Sequence, residues 1–149
     1  MAIVRLTKEV KFEMAHALWN YNGLCKNIHG HSYRLFVTLK GLPISDTENV
    51  KLGMLMDFGD LKKILNEEVV DKYDHAIVIY KNVDQKLLSE IPQMFGRVIF
   101  SEYQPTCENL VADFAIKIGN RLPAGVILHS VKLYETATSY AEWFAEDQK

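Results

Sequence analysis

The chain is predicted to be an α+β domain built on a largely antiparallel sheet with helices packed on one face. Three observations lead there. Two N-terminal stretches and one C-terminal stretch alternate apolar and polar residues with period two. Between them lie two apolar stripes at helical spacing. The resulting order is strand, strand, helix, helix, strand, strand, in which strands and helices are segregated. A length of 149 residues, with no repeat and no Pro- or Gly-rich linker, is read as one domain over residues 1–149.

Val4 to Met14 is the first expected strand. Val4, Leu6, Val10, Phe12 and Met14 share even parity, against Arg5, Thr7, Glu9, Lys11 and Glu13. Lys8 interrupts the apolar set and suggests a bulge. Trp19 to Lys26 reads as a loop. Ser32 to Leu42 is the second strand, with Tyr33, Leu35, Val37 and Leu39 on one face. Asp57 is placed to cap a helix that runs to about Tyr73, its stripe formed by Phe58, Leu61, Ile64, Leu65 and Val69. Residues 76–104 give no clear period, with Pro92 and Gly96 interrupting the apolar pieces. Thr106 caps a second helix, whose face is Leu110, Val111, Phe114, Ala115, Ile118 and Leu122, and Glu108 suits its first turn. Val126 to Glu135 is a third strand and Tyr140 to Phe144 a fourth.

Composition narrows the function. With 48% hydrophobic and 24% charged residues, extended disorder is excluded. A net charge of −2, without a Lys/Arg run, argues against nucleic acid as a partner. Two cysteines are too few for a disulfide scaffold. The charged start of the chain and the lack of a long apolar run point to neither export nor membrane insertion, so a soluble cytoplasmic protein is expected.

The chemistry gathers around His16 and the segment Cys25-Lys26-Asn27-Ile28-His29-Gly30-His31. His29 and His31 share the parity of Tyr33 and Leu35; His16 shares that of Phe12 and Met14. If the two strands pair, three imidazoles meet on one apolar face. All-imidazole ligation favours Zn2+, and three protein ligands leave a position open, as catalytic zinc sites do. Cys25 is either a fourth ligand that closes the site or a thiolate base or nucleophile beside it. Asp74-His75 offers a carboxylate and an imidazole for proton transfer; the plainer alternative is a helix end favoured by the dipole. Glu135, with the parity of Ile127, Val131 and Leu133, puts a carboxylate on an apolar face, suited to two N–H donors of an amino-pyrimidinone ring. His129 is assigned to the same face without a partner. Cys107 and Asp57 read as structural, and the tryptophans as surface or interface bulk. Lys26, Arg34 and Lys51 are the cations available for a polyphosphate.

Taken together, Phe12-Glu13-Met14-Ala15-His16, Cys25-x-x-x-His29-Gly30-His31, Met56-Asp57-Phe58-x-x-Leu61-Lys62, Asp74-His75, Pro105-Thr106-Cys107-Glu108-Asn109 and Glu135 resemble the 6-pyruvoyltetrahydropterin synthase superfamily, in family order over nearly the whole chain. The three-residue spacer between Cys25 and His29 looks like the bacterial 6-carboxytetrahydropterin synthases of queuosine (7-deazaguanine) biosynthesis. Cys107 departs from the Ala or Ser more usual there. The resemblance implies the tunnelling fold, a four-stranded antiparallel sheet with two helices on one face, assembled as a homohexamer of two trimers with active sites between subunits. It implies zinc on His16, His29 and His31, Cys25 as the base, and His75 with Asp74 as acid/base partner from a neighbouring subunit. Glu135 would anchor a pterin, and Thr106 and Glu108 would line its pocket. The implied reaction is a zinc-dependent carbon–carbon lyase acting on 7,8-dihydroneopterin triphosphate, with simple formation of a pyruvoyl product, or a non-enzymatic zinc-stabilised module, as alternatives.

Overall fold

The structure, a computed structural model, describes residues Met1–Lys149. Six strands form one sheet: β1 Val4–Ala17, β2 His29–Gly41, β3 Ala76–Tyr80, β4 Val98–Ser101, β5 Ile127–Tyr134 and β6 Tyr140–Phe144. Their order is β4-β3-β1-β2-β5-β6. The β1–β2, β2–β5 and β5–β6 pairs are antiparallel, while β3 runs parallel to both β1 and β4. Helix α1, Phe58–Leu65, continues through a π-turn over Asn66–Val70 and a last turn Asp71–Tyr73. Helices α2, Gln85–Met94, and α3, Cys107–Gly119, complete the set. No helix is long and apolar enough to cross a membrane.

The α+β expectation stands, and α1 and α3 do share one face, but the four-stranded antiparallel sheet is corrected to a six-stranded mixed one. The difference arises in residues 76–104, which form the crossover β3–α2–β4. This stretch lacks a period because β3 is covered on both sides, as parallel strands are. Ala76 and Val78 face the main core, whereas Ile79 packs with Val83 and Ile91 under α2. A third helix therefore lies on the opposite face from α1 and α3. Asp84 caps it through the Lys86 N–H at 2.7 Å, and Pro92 falls in its last turns.

The main core joins the inward side chains of β1, β2 and β5 to the stripes of α1 and α3. Phe114 meets the Phe12 ring at 6.0 Å and the Tyr73 ring at 5.0 Å, both edge-on. Asp57 caps α1 by accepting from the Gly59 N–H at 2.6 Å, and the Thr106 hydroxyl caps α3 at the Asn109 N–H, 3.3 Å away. Removing capping groups of this kind costs about 0.5–2 kcal/mol.

No bulge occurs at Lys8, which holds its place opposite Val37 in an unbroken β1–β2 ladder. The irregularity lies between β2 and β5, where Thr38 pairs Ser130 but Leu39 pairs Leu128, leaving His129 as the extra residue. The parity expected along β5 therefore fails before Val131. Leu128 turns inward, Ile127 is 58% exposed, and His129 faces the other side of the sheet, edge-on to Phe144 at 5.9 Å. Val131, Leu133 and Glu135 keep the expected common face. Trp19 is part-exposed, while Trp143 packs against the core.

Phe114→Ala, which empties the centre of this core, is expected to lower the unfolding free energy by about 3–5 kcal/mol in urea titration. A loss below about 1 kcal/mol would contradict the packing described.

Candidate metal centre and catalytic cleft

Strand β1 runs on to Ala17 and β2 starts at His29, so all three histidines lie on paired strands. His16 stands opposite His29, and Met14 opposite His31. The three imidazoles meet on the core face, with ring centroids 4.6, 5.2 and 5.0 Å apart. His16 Nδ1 is 2.6 Å from the Pro105 carbonyl oxygen, and His29 Nδ1 is 2.7 Å from that of Asn27. A carbonyl only accepts, so both Nδ1 atoms carry hydrogen and donate, which leaves bare lone pairs on the Nε2 atoms. Those two Nε2 atoms face each other at 3.1 Å. His31 Nε2 is buried without a hydrogen-bond partner. One donor atom from each ring lies within 4.8 Å of the others. Converging lone pairs, fixed from behind by carbonyls, fit a divalent cation. Burial pushes His16 down to about 4 and also lowers His31, so these rings present lone pairs at neutral pH.

Tyr33 holds this cluster from below. Its ring stacks on Phe12 at 5.1 Å and stands edge-on to His16 at 6.3 Å and to His31 at 5.6 Å. Its hydroxyl is buried without a partner, and burial pushes the phenol well above its usual range. The sequence marked Tyr33 only as a core residue; its position two after His31 was the available signal.

A cleft of about 320 Å³ opens beside His16 and brings together Cys25, Thr106, Cys107, Glu108 and Glu135. Cys25 sits exposed on the 3-10 turn Leu24–Lys26, outside the cluster of ligand atoms. The Leu18 N–H donates to the Cys25 carbonyl at 2.9 Å, tying that turn to the end of β1. Cys107, the first residue of α3, donates its thiol to the Leu133 carbonyl at 3.3 Å, and burial pushes it up to about 11. Glu135 follows β5 with one carboxylate oxygen 3.7 Å from His31 Nε2, and the carboxylate accepts no hydrogen bond from its own chain.

The Asp74–His75 pair lies outside the cleft that holds Cys25; His75 borders a second depression together with Glu13, Gly30, His31 and Ser32. Adjacent side chains seldom bond each other, yet here His75 Nδ1 and Asp74 Oδ2 are 2.8 Å apart. His75 itself adopts φ +60. The Glu13 N–H donates to Asp74 Oδ1 at 2.8 Å, and this bond, first among several, holds the carboxyl below its usual range. The His75 ring is largely exposed. Of the three cations named from sequence, Arg34 pairs with Glu9 and lies over Phe36 and Tyr134 on the far face, and Lys51 pairs with Asp60. Neither lines the cleft; Lys26 neighbours Cys25 on its turn.

The model of the family described as 6-pyruvoyl tetrahydropterin synthase matches residues 5–146. The chain belongs to the 6-pyruvoyl tetrahydropterin synthase family. Its relatives include the Haemophilus influenzae 6-carboxy-5,6,7,8-tetrahydropterin synthase, 32% identical across 93% of this chain and 97% of that one. The Synechocystis protein of the same name is 34% identical across 93% and 91%. A Dictyostelium discoideum 6-pyruvoyl tetrahydrobiopterin synthase is 32% identical across 96% and 97%. The 6-pyruvoyl tetrahydropterin synthase structure from Plasmodium vivax shares the fold of this family member, with a TM-score of 0.73 at 17% identity over 96% of this chain and 98% of that chain.

The two thiols differ enough to be told apart. Iodoacetamide at about pH 8 is expected to modify Cys25 alone in the native protein and both cysteines after denaturation, read by mass spectrometry. Native labelling of Cys107 as fast as that of Cys25 would contradict the contrast between a half-buried, hydrogen-bonded thiol and an exposed one.

Proposed function

We propose that the protein is a zinc-dependent carbon–carbon lyase that converts 7,8-dihydroneopterin triphosphate and water to 6-carboxy-5,6,7,8-tetrahydropterin, acetaldehyde and triphosphate, in queuosine biosynthesis in the cytoplasm. The observation that carries this reading is the convergence of one ring nitrogen from each of the three histidines beside a cleft that also holds Cys25 and Glu135. The relatives named 6-carboxy-5,6,7,8-tetrahydropterin synthase support the product.

His16, His29 and His31 hold the ion, which when bound supplies Lewis acidity toward the substrate's side-chain oxygens. Cys25, free of the ligand cluster and open to the cleft, takes the carbon-bound proton as thiolate. Glu135 has unused acceptor capacity in a part-buried place and receives the 2-amino and N3 hydrogens of the pterin, which removes the cost of an unpaired carboxylate there. Thr106 and Glu108 border the same pocket. His75, oriented by Asp74, returns a proton to the substrate. The pair is absent from the Cys25 cleft of its own chain, and we assign it to the cleft of a neighbouring copy, as the family resemblance implies. This accords with a homohexamer of two trimers whose sites lie between subunits. One domain over residues 1–149 supplies each subunit.

The Dictyostelium relative favours a second reading with the same site, in which triphosphate elimination ends at the pyruvoyl product. Anaerobic incubation with 7,8-dihydroneopterin triphosphate and mass spectrometry of the pterin separates them. The carboxy product with acetaldehyde is expected; the pyruvoyl product would move the protein to the other branch.

Metal analysis is expected to give about one zinc per chain. His29→Ala should lose the metal and the activity. Cys25→Ala should keep the metal and lose turnover by at least about 100-fold. Loss of zinc from Cys25→Ala would favour a closed Cys-His₃ structural site instead.

A further inference from the structure

We infer that Arg97 is a positioning residue for the Asp74–His75 pair, an inference that rests on the acid/base role proposed for that pair. Arg97 lies at the end of the β3–α2–β4 crossover, one residue before β4. Its Nη1 donates to the carbonyl oxygens of Asp71 at 2.9 Å and of Asp74 at 2.8 Å. These are carbonyls of the closing turn of the helix that begins as α1, where the dipole is negative and no further helical N–H follows. One guanidinium nitrogen thus ties that turn together immediately before His75. The backbone of Arg97 is fixed in turn, since its carbonyl accepts from the Ile77 N–H at 3.0 Å.

The need for such a clamp follows from the conformation of His75. A residue with a side chain at φ +60 is strained relative to glycine, and such positions persist only where surrounding bonds hold them. Packing does not hold His75, whose side chain is 79% exposed. Hydrogen bonds do. The His75 N–H donates to the Glu13 carbonyl at 2.6 Å, and the Glu13 N–H donates to Asp74 Oδ1 at 2.8 Å. The strand supports the pair from one side and Arg97 supports it from the other. Removing Arg97 leaves two helix-end carbonyls to water and frees the turn. The imidazole then samples positions away from the substrate, and small displacements of a proton-transfer group cost rate rather than binding.

The test is a kinetic cycle with the holoenzyme. Arg97→Ala is expected to lower kcat by about tenfold or more while KM and zinc content stay within about twofold. Arg97→Lys, which keeps one donor toward the carbonyls, is expected to recover part of that loss. In a His75→Asn background, where asparagine tolerates the positive φ, Arg97→Ala should cause no further loss. An additive loss in that background would show a general structural role and overturn the inference. A readout independent of turnover is hydrogen exchange at the His75 amide. Its protection should fall at least about tenfold in Arg97→Ala, and unchanged protection would also overturn the inference. If the wild-type protein does not turn over the pterin triphosphate, the acid/base reading fails, and the exchange measurement alone decides whether Arg97 holds the turn.

Discussion

The unbroken antiparallel register of β1 against β2 is the constraint on which the rest depends. It sets His16 against His29 and Met14 against His31, and the same ladder sets Phe12 against Tyr33 and Val10 against Leu35. Side chains alternate along a strand, so a slip by one residue would send the imidazoles and the core to opposite faces together. The metal cluster and the hydrophobic core are therefore specified by one set of backbone bonds. The core acts as the reference for the site: Phe12, Tyr33 and Leu35 must be buried, and that burial fixes where the histidines point.

Much of this was legible because parity survives in sequence. The common face of His16, His29 and His31 follows from counting in twos, and the caps at Asp57 and Thr106 follow from their place before apolar stripes. What failed did so for identifiable reasons. The run Ala76-Ile77-Val78-Ile79-Tyr80 has no polar face to alternate with, because α2 covers the side that α1 and α3 do not. A bulge shifts parity by one without leaving a mark in composition, so counting in twos puts His129 and Ile127 on the face opposite to the one they occupy. The Asp74–His75 bond forms at a residue with positive φ, and no pattern of residue types announces that conformation at a histidine.

The site divides by how it is held. His16 is buried and His29 and His31 half-buried; carbonyls back His16 and His29, and the Tyr33 ring braces His16 and His31, so the geometry of the cluster owes much to packing. Cys25 and His75 are exposed and depend on hydrogen bonds of their backbone instead. This matches the tasks proposed for them, since a metal cage works by rigidity whereas groups that exchange protons with a substrate need access. Cys107 shows the contrast within one residue type: a half-buried thiol at the start of α3, bonded to a carbonyl, is kept protonated.

The strand pairings also set an order of assembly. All three imidazoles come from a single hairpin, within His16 to His31, whereas the parallel pairing of β1 with β3 must bring Ala76 back to Met14 across the whole of β2 and α1. Closing a short antiparallel pair sacrifices less chain entropy than closing a long parallel one. The imidazole cluster can thus assemble while the crossover is still unformed. A metal captured by that hairpin would add its binding free energy to the folding of the most local part of the chain. Chelation would then bear on refolding earlier than on the stability of the finished sheet.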